Sequence, residues 1–105
     1  MGFFDFSKPT EINRGVTECQ ATAGAILLDV RTPGEYRQGH IPGSINLPLQ
    51  AIASTPSVIE NKDAPLYVYC YSGARSQQAC SLLRHMNYTQ VNDLGGIAAY
   101  CGKVE

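Results

Sequence analysis

The chain has 105 residues, 44% of them hydrophobic and 16% charged, with a formal net charge of −1 and a pI near 6.1. This length predicts one domain, residues 1–105, built around a single layered core, and the composition excludes a disordered chain. With no basic stripe and no apolar run near the roughly 20 residues of a membrane span, neither nucleic acid nor a membrane is an expected partner.

The opening stretch MGFFDFSKPT has no basic region, and Asp5 and Lys8 interrupt its apolar residues, so it does not read as a signal peptide. Phe6 stands where the myristoylation pattern wants Ser or Thr. The expected location is therefore cytoplasmic. In that reducing compartment Cys19, Cys70, Cys80 and Cys101 read as free thiols. In residues 10–22, Ile12, Val16 and Cys19 fall at helical spacing and predict a helix with one buried stripe, which Gly15 weakens. AILLDV (25–30) is a continuous apolar run, the pattern of a strand buried on both faces. Pro33 and Gly39 bracket a short helix. The Pro42-Gly43 turn leads into a short strand from Ser44 to Leu47, and residues 49–62 suit one or two short helices.

PLYVYC (65–70) is the second buried strand. Ala79, Leu82, Leu83 and Met86 give a helix over Ser76–Met86, with Ser76 as N-cap or first-turn residue. Gln90–Leu94 is the last strand, broken by Gly95-Gly96, and Ile97–Cys101 starts a short terminal helix. Alternating strands and helices predict an α/β fold with an open, mostly parallel sheet and helices on both faces.

Cys70 stands where a central strand ends, and ligands of open α/β sheets bind beyond the carboxyl ends of the strands. Tyr71-Ser72-Gly73-Ala74-Arg75 must turn the chain into the next helix. Backbone N–H groups in such a turn, with the helix dipole behind them, form an anion cradle. A thiol in that cradle is expected to ionise easily, and the thiolate is the nucleophile. Gly73 supplies backbone freedom, Ser72 and Ala74 keep the ring small, and Arg75 is placed to hold an oxyanion bidentately. A small cysteine at a strand end is commonly a core filler. The whole CxxGxRS string between strand and helix favours chemistry, because core packing does not require an arginine to close the turn.

At this point the chain resembles the rhodanese family, as a single-domain member. LLDVRTPGEYRQGHIPGSINLPL (27–49) is similar to the family's first signature, YVYCYSGARSQQA (67–79) to its active-site segment, and DLGGI (93–97) to its Gly-Gly after the last strand. The resemblance implies a parallel five-stranded sheet and sulfur transfer through a persulfide on Cys70. No cofactor is expected, and no metal either, since the cysteines lack a CxxC and Cys70 to Cys80 has no standard zinc spacing. The N–H groups of Tyr71, Ser72, Gly73, Ala74 and Arg75, with Ser76 completing the turn, would stabilise thiolate and persulfide. Arg75 would bind the donor. The implied partners are a small anionic sulfur donor such as thiosulfate and an acceptor, cyanide in the test tube or a thiol or carrier protein in the cell, with the chain acting as a monomer.

Cysteine-dependent phosphatases and arsenate reductases share the strand–Cys–loop–Arg–helix design. The phosphatases place five residues between Cys and Arg, where this chain has four, and usually a His before the Cys, where this chain has Tyr69. The shorter ring suits a persulfide sulfur better than a phosphoryl group. A binding or redox-sensing module without catalysis is the other alternative, and retention of the cysteine argues against it. Asp29 and Arg31 lie on the same sheet edge as Cys70; they read first as a structural ion pair and second as groups shaping the mouth of the site. Glu35 suits a bond to nearby backbone or an arginine. His40 is excluded from the catalytic set because its turn reads as structural, and His85 sits at a helix end that favours positive charge. Cys80 reads as core rather than a resolving thiol, and Cys19 and Cys101 as small apolar fillers.

Overall fold

The computed structural model describes residues 11–105. The stretch MGFFDFSKPT, read above as neither signal peptide nor myristoylation site, lies outside the described residues. The elements run α1 (Ile12–Ala21), β1 (Ile26–Asp29), α2 (Pro33–Gln38), β2 (Ile45–Asn46), a 3₁₀ segment (Leu49–Ser54), α3 (Thr55–Val58), β3 (Leu66–Cys70), α4 (Ala74–His85), β4 (Val91–Gly96) and a 3₁₀ turn (Ile97–Ala99). No helix among the described residues is long and apolar enough to cross a membrane.

The sheet is wholly parallel, in the order β2-β1-β3-β4. The four strands expected from residue patterns all form, but the fifth strand implied by the resemblance is not present among the described residues. The two continuous apolar runs take the central positions, because only there does a strand lose water from both faces. Side-chain alternation divides the core in two. Leu66, Val68 and Cys70 join Leu28, Val30 and the inner face of α4 at Ala79, Cys80 and Leu83. Tyr67 and Tyr69 join Leu27, Ile41 and the stripe of α1 at Ile12, Val16 and Cys19. Each fully buried Leu or Val stabilises the layer by about 1.5–3 kcal/mol.

Two sequence expectations are corrected near the site. The last strand does not stop before the glycines: Tyr69 pairs with Gly95 and Cys70 with Gly96, after a one-residue shift at Leu94. Gly95 takes φ 80°, a conformation side chains disfavour. Helix α4 starts at Ala74 rather than Ser76, because Gly73 turns the chain with φ 113° and serves as its N-cap. Gly15 in α1 also has a packing reason, since a Cβ there would run into the Leu94 side chain.

Candidate active site

Strand order reverses between β1 and β3. From β1 the chain crosses outward to β2, and from β3 it crosses the opposite way to β4. The crevice at such a switch point is where open α/β sheets bind ligands. It brings together the loop after β1, carrying Arg31 and Glu35, and the loop after β3, carrying Tyr71 to Arg75.

Cys70 ends β3 with its side chain turned toward the α4 layer and 1% exposed. The Gly73 backbone N–H donates to its Sγ at 3.0 Å. Ala74, Arg75 and Ser76 form the first turn of α4, where amides lack intrahelical acceptors and the dipole is positive. Loop and sulfur together form a small cup, with the Gly73 N–H aimed at the sulfur. Tyr71 and Ser72 lie exposed on its rim.

The loop is braced from behind. The Ala98 N–H donates to the Tyr71 carbonyl at 3.1 Å. Ser76, expected to meet the substrate, is instead fully buried, with its Oγ within 3.3 Å of the Gly73 and Gly95 carbonyls and the Asp93 carboxylate. Asp93 also accepts from the Gly95 N–H at 2.9 Å. Gly96 touches the loop so closely that a Cβ there would collide with the Tyr71 carbonyl and stand 2.7 Å from Ser72 Cα. Gly96→Ala is therefore expected to cost about 1–3 kcal/mol, the range for overpacking a tight site. A urea-unfolding change within about 0.5 kcal/mol of the parent would show that the loop yields freely.

Arg75 does not lie free over the cup. Its Nη1 and Nη2 donate to Glu35 Oε1 and Oε2 at 2.7 and 3.0 Å, a bidentate pair joining the two loops. Glu35 Oε1 also accepts from the Thr32 N–H at 3.0 Å, while Thr32 Oγ1 accepts from the Glu35 N–H, a capping box that starts α2. The Arg75 guanidinium holds the Glu35 carboxyl down to about 2. Glu35 in turn, chiefly through its hydrogen bonds, raises the Arg75 pKa.

Asp29 and Arg31 form a buried pair. Arg31 Nε donates to both Asp29 oxygens at 3.0 Å and Nη2 to Oδ2 at 2.6 Å. Nη2 also donates to the Gly39 carbonyl at 2.7 Å. Burial disfavours the Arg31 charge, but Asp29 more than offsets it and the pKa rises. Tyr69 turns its hydroxyl away from Cys70. It accepts from the Ile41 N–H and meets Ser44 Oγ, both at 3.1 Å, tying β3 to the Pro42-Gly43 turn. His40 faces Tyr36 and Glu105.

All four thiols are free. Burial pushes Cys19 up to about 11 and Cys80 up to about 12, so neither is a ready nucleophile at neutral pH. Cys101, expected to be an apolar filler, is exposed instead. It follows the 3₁₀ turn at the surface, where its N–H donates to Asn13 Oδ1 at 2.7 Å. The part sequence reading missed is the Asp93–Ser76–Gly96 brace. Its signal was the Gly-Gly pair, which reads equally as a strand terminator.

The site is thus a cysteine sulfur at a strand end, with four residues between it and an arginine in the first turn of a helix. The family model of the Rhodanese-like domain matches residues 9–103. The chain belongs to the rhodanese-like domain family. A sulfurtransferase of Allochromatium vinosum is 45% identical over 80 residues, covering 75% of this chain and 74% of that protein. The thiosulfate sulfurtransferase PspE of Escherichia coli is 38% identical over 71 residues, covering 67% and 68%. A solved structure of a rhodanese with anions, from E. coli, superposes with a TM-score of 0.72 at 33% identity, covering 77% of this chain and 96% of that one. These relatives support a rhodanese-type sulfurtransferase enzyme.

Proposed function

We propose that this rhodanese moves a sulfane sulfur from an anionic donor such as thiosulfate to a thiophilic acceptor through a persulfide on Cys70. The Cys70 thiolate attacks the outer sulfur of thiosulfate. A new S–S bond forms, the donor's S–S bond breaks, and sulfite leaves with the electron pair. An acceptor (cyanide, a thiol or a protein thiol) then attacks the outer persulfide sulfur and returns Cys70 as thiolate. Sulfur passes through unchanged in total, so no external oxidant or reductant is needed.

The observation that carries this reading is the 3.0 Å contact from the Gly73 N–H to Cys70 Sγ inside a helix-start loop. It offers a thiolate or persulfide a donor while adding no residue that would act as an acid or base. The short ring supports the same reading over phosphoryl transfer, since it leaves space for a sulfur atom. The test is the intact mass of the protein after brief exposure to thiosulfate. A gain of one sulfur atom, discharged by cyanide, is the expected result; no gain from any sulfane donor would overturn the proposal.

Arg75 supplies the positive charge for the donor. Arg75→Ala is expected to lower kcat/KM for thiosulfate at least tenfold, since a charge-assisted hydrogen bond is worth about 1.5–3 kcal/mol. Steady-state cyanolysis measures it, and an unchanged kcat/KM would remove Arg75 from donor binding.

A further inference from the structure

Both guanidinium groups at this sheet edge are already answered by carboxylates. Arg31 is 5% exposed and fully engaged with Asp29 and the Gly39 carbonyl, so it offers no charge to the crevice. Arg75 is the group left to meet a donor, and Glu35 takes one N–H from each of its terminal nitrogens. The side chains of Arg75 and Glu35 are 34% and 31% exposed, so the pair stands at the mouth and not beneath it. Glu35 is also pinned from its own helix, where Oε1 accepts from the Thr32 N–H and hydroxyl at 3.0 and 3.1 Å. It is a fixed anion.

We infer that Glu35 is a specificity-determining residue: its carboxylate neutralises Arg75 at the entrance to Cys70 and sets the site against doubly charged sulfur donors, favouring donors of single charge such as organic thiosulfonates and thiol persulfides. This rests on the sulfur-transfer reading above. A donor reaching Cys70 meets an Arg–Glu pair of zero net charge. The remaining N–H groups of Arg75 still give direction to an oxyanion, but a second negative charge on the donor gains no further attraction and is repelled by Glu35. The Arg75 guanidinium keeps the Glu35 carboxyl low, at about 2, so this anion is present throughout the neutral range. Thiosulfate and an aryl thiosulfonate make a matched pair of probes. In both, the Cys70 thiolate takes the outer sulfur, and the leaving group is sulfite in one case and a sulfinate in the other. They differ by one charge.

The test is Glu35→Gln, which keeps an oxygen for the Thr32 N–H because Gln also serves in a capping box, and removes the charge together with the acceptor for Arg75 Nη2. The KM for thiosulfate is expected to fall about fivefold, the scale of one partly exposed ion pair, and that for the aryl thiosulfonate by much less. The kcat/KM ratio of thiosulfate to thiosulfonate therefore rises, and more so at low ionic strength. Glu35→Asp, which keeps the charge, is expected to hold the ratio within about twofold of the parent. A ratio unmoved in Glu35→Gln, or equal losses with both donors, would make Glu35 a loop brace and overturn the inference. Protection of Cys70 from iodoacetamide by sulfate gives a reading free of turnover, and half-protection is expected at about fivefold less sulfate in Glu35→Gln. If no donor loads sulfur while sulfate protection still tightens, the transfer reading fails and the charge role of Glu35 stands. If sulfur loads normally and protection is unchanged, the charge role fails and the transfer reading stands.

Discussion

Cys70→Ser is expected to abolish sulfur loading and lower turnover on the order of 10⁴-fold or more, the scale seen when a nucleophile is removed from a preorganised site. The substitution changes one atom at the buried base of the cup, and the new hydroxyl still accepts from the Gly73 N–H. The fold is therefore expected to survive at a cost of about 1 kcal/mol, read as a small shift in the thermal midpoint. The measurement is intact mass after thiosulfate, parent beside variant. The other thiols make the outcome sharp. Cys19 and Cys80 are buried and held in their neutral form, at about 11 and about 12. Only Cys101 is exposed. A variant that still gained sulfur would move the persulfide from Cys70 to Cys101 and place the reaction outside the cup.

Asp29→Ala is expected to have the largest effect on stability, about 3–5 kcal/mol, because it strands the Arg31 charge in the protein interior. Asp29 is 0% and Arg31 5% exposed, and Asp29 takes three side-chain N–H contacts from Arg31. A loss of that size is a large part of the roughly 5–15 kcal/mol that holds a typical domain together. Urea unfolding reads it directly. The double variant Asp29→Leu, Arg31→Met is expected to recover most of the loss, since a buried pair exchanged for apolar side chains is often neutral. A single-variant cost below about 1 kcal/mol would mean that water reaches Arg31 and the pair behaves as a surface bridge. Through Arg31, Asp29 is tied to the Gly39 carbonyl at the end of α2.

The central strands were legible because burial on both faces demands apolar residues without a polar alternation, and AILLDV and PLYVYC both meet that demand. The candidate loop was legible for a related reason. A thiol, small residues, a glycine and an arginine in CYSGAR are all local to one turn, so their spacing along the chain is nearly their spacing in space. Element ends were less so. Gly95 and Gly96 read as a strand terminator, yet they stay in the ladder because the Tyr71–Ser72 backbone presses on them. Ser76 read as an N-cap or first-turn residue; it lies in the first turn, with Gly73 as the N-cap, and its hydroxyl turns inward to Asp93.

By itself the sequence determined the α/β alternation, the buried central strands and the loop between Cys70 and Arg75, since each depends on residues within one element or one turn. Only the tertiary structure decided what the arginine is doing. Glu35 and Arg75 are 40 positions apart, and no spacing rule connects them. They meet because the strand order reverses between β1 and β3 and lays their two loops across the same crevice. A charge pair formed this way follows from topology, and local pattern does not record it.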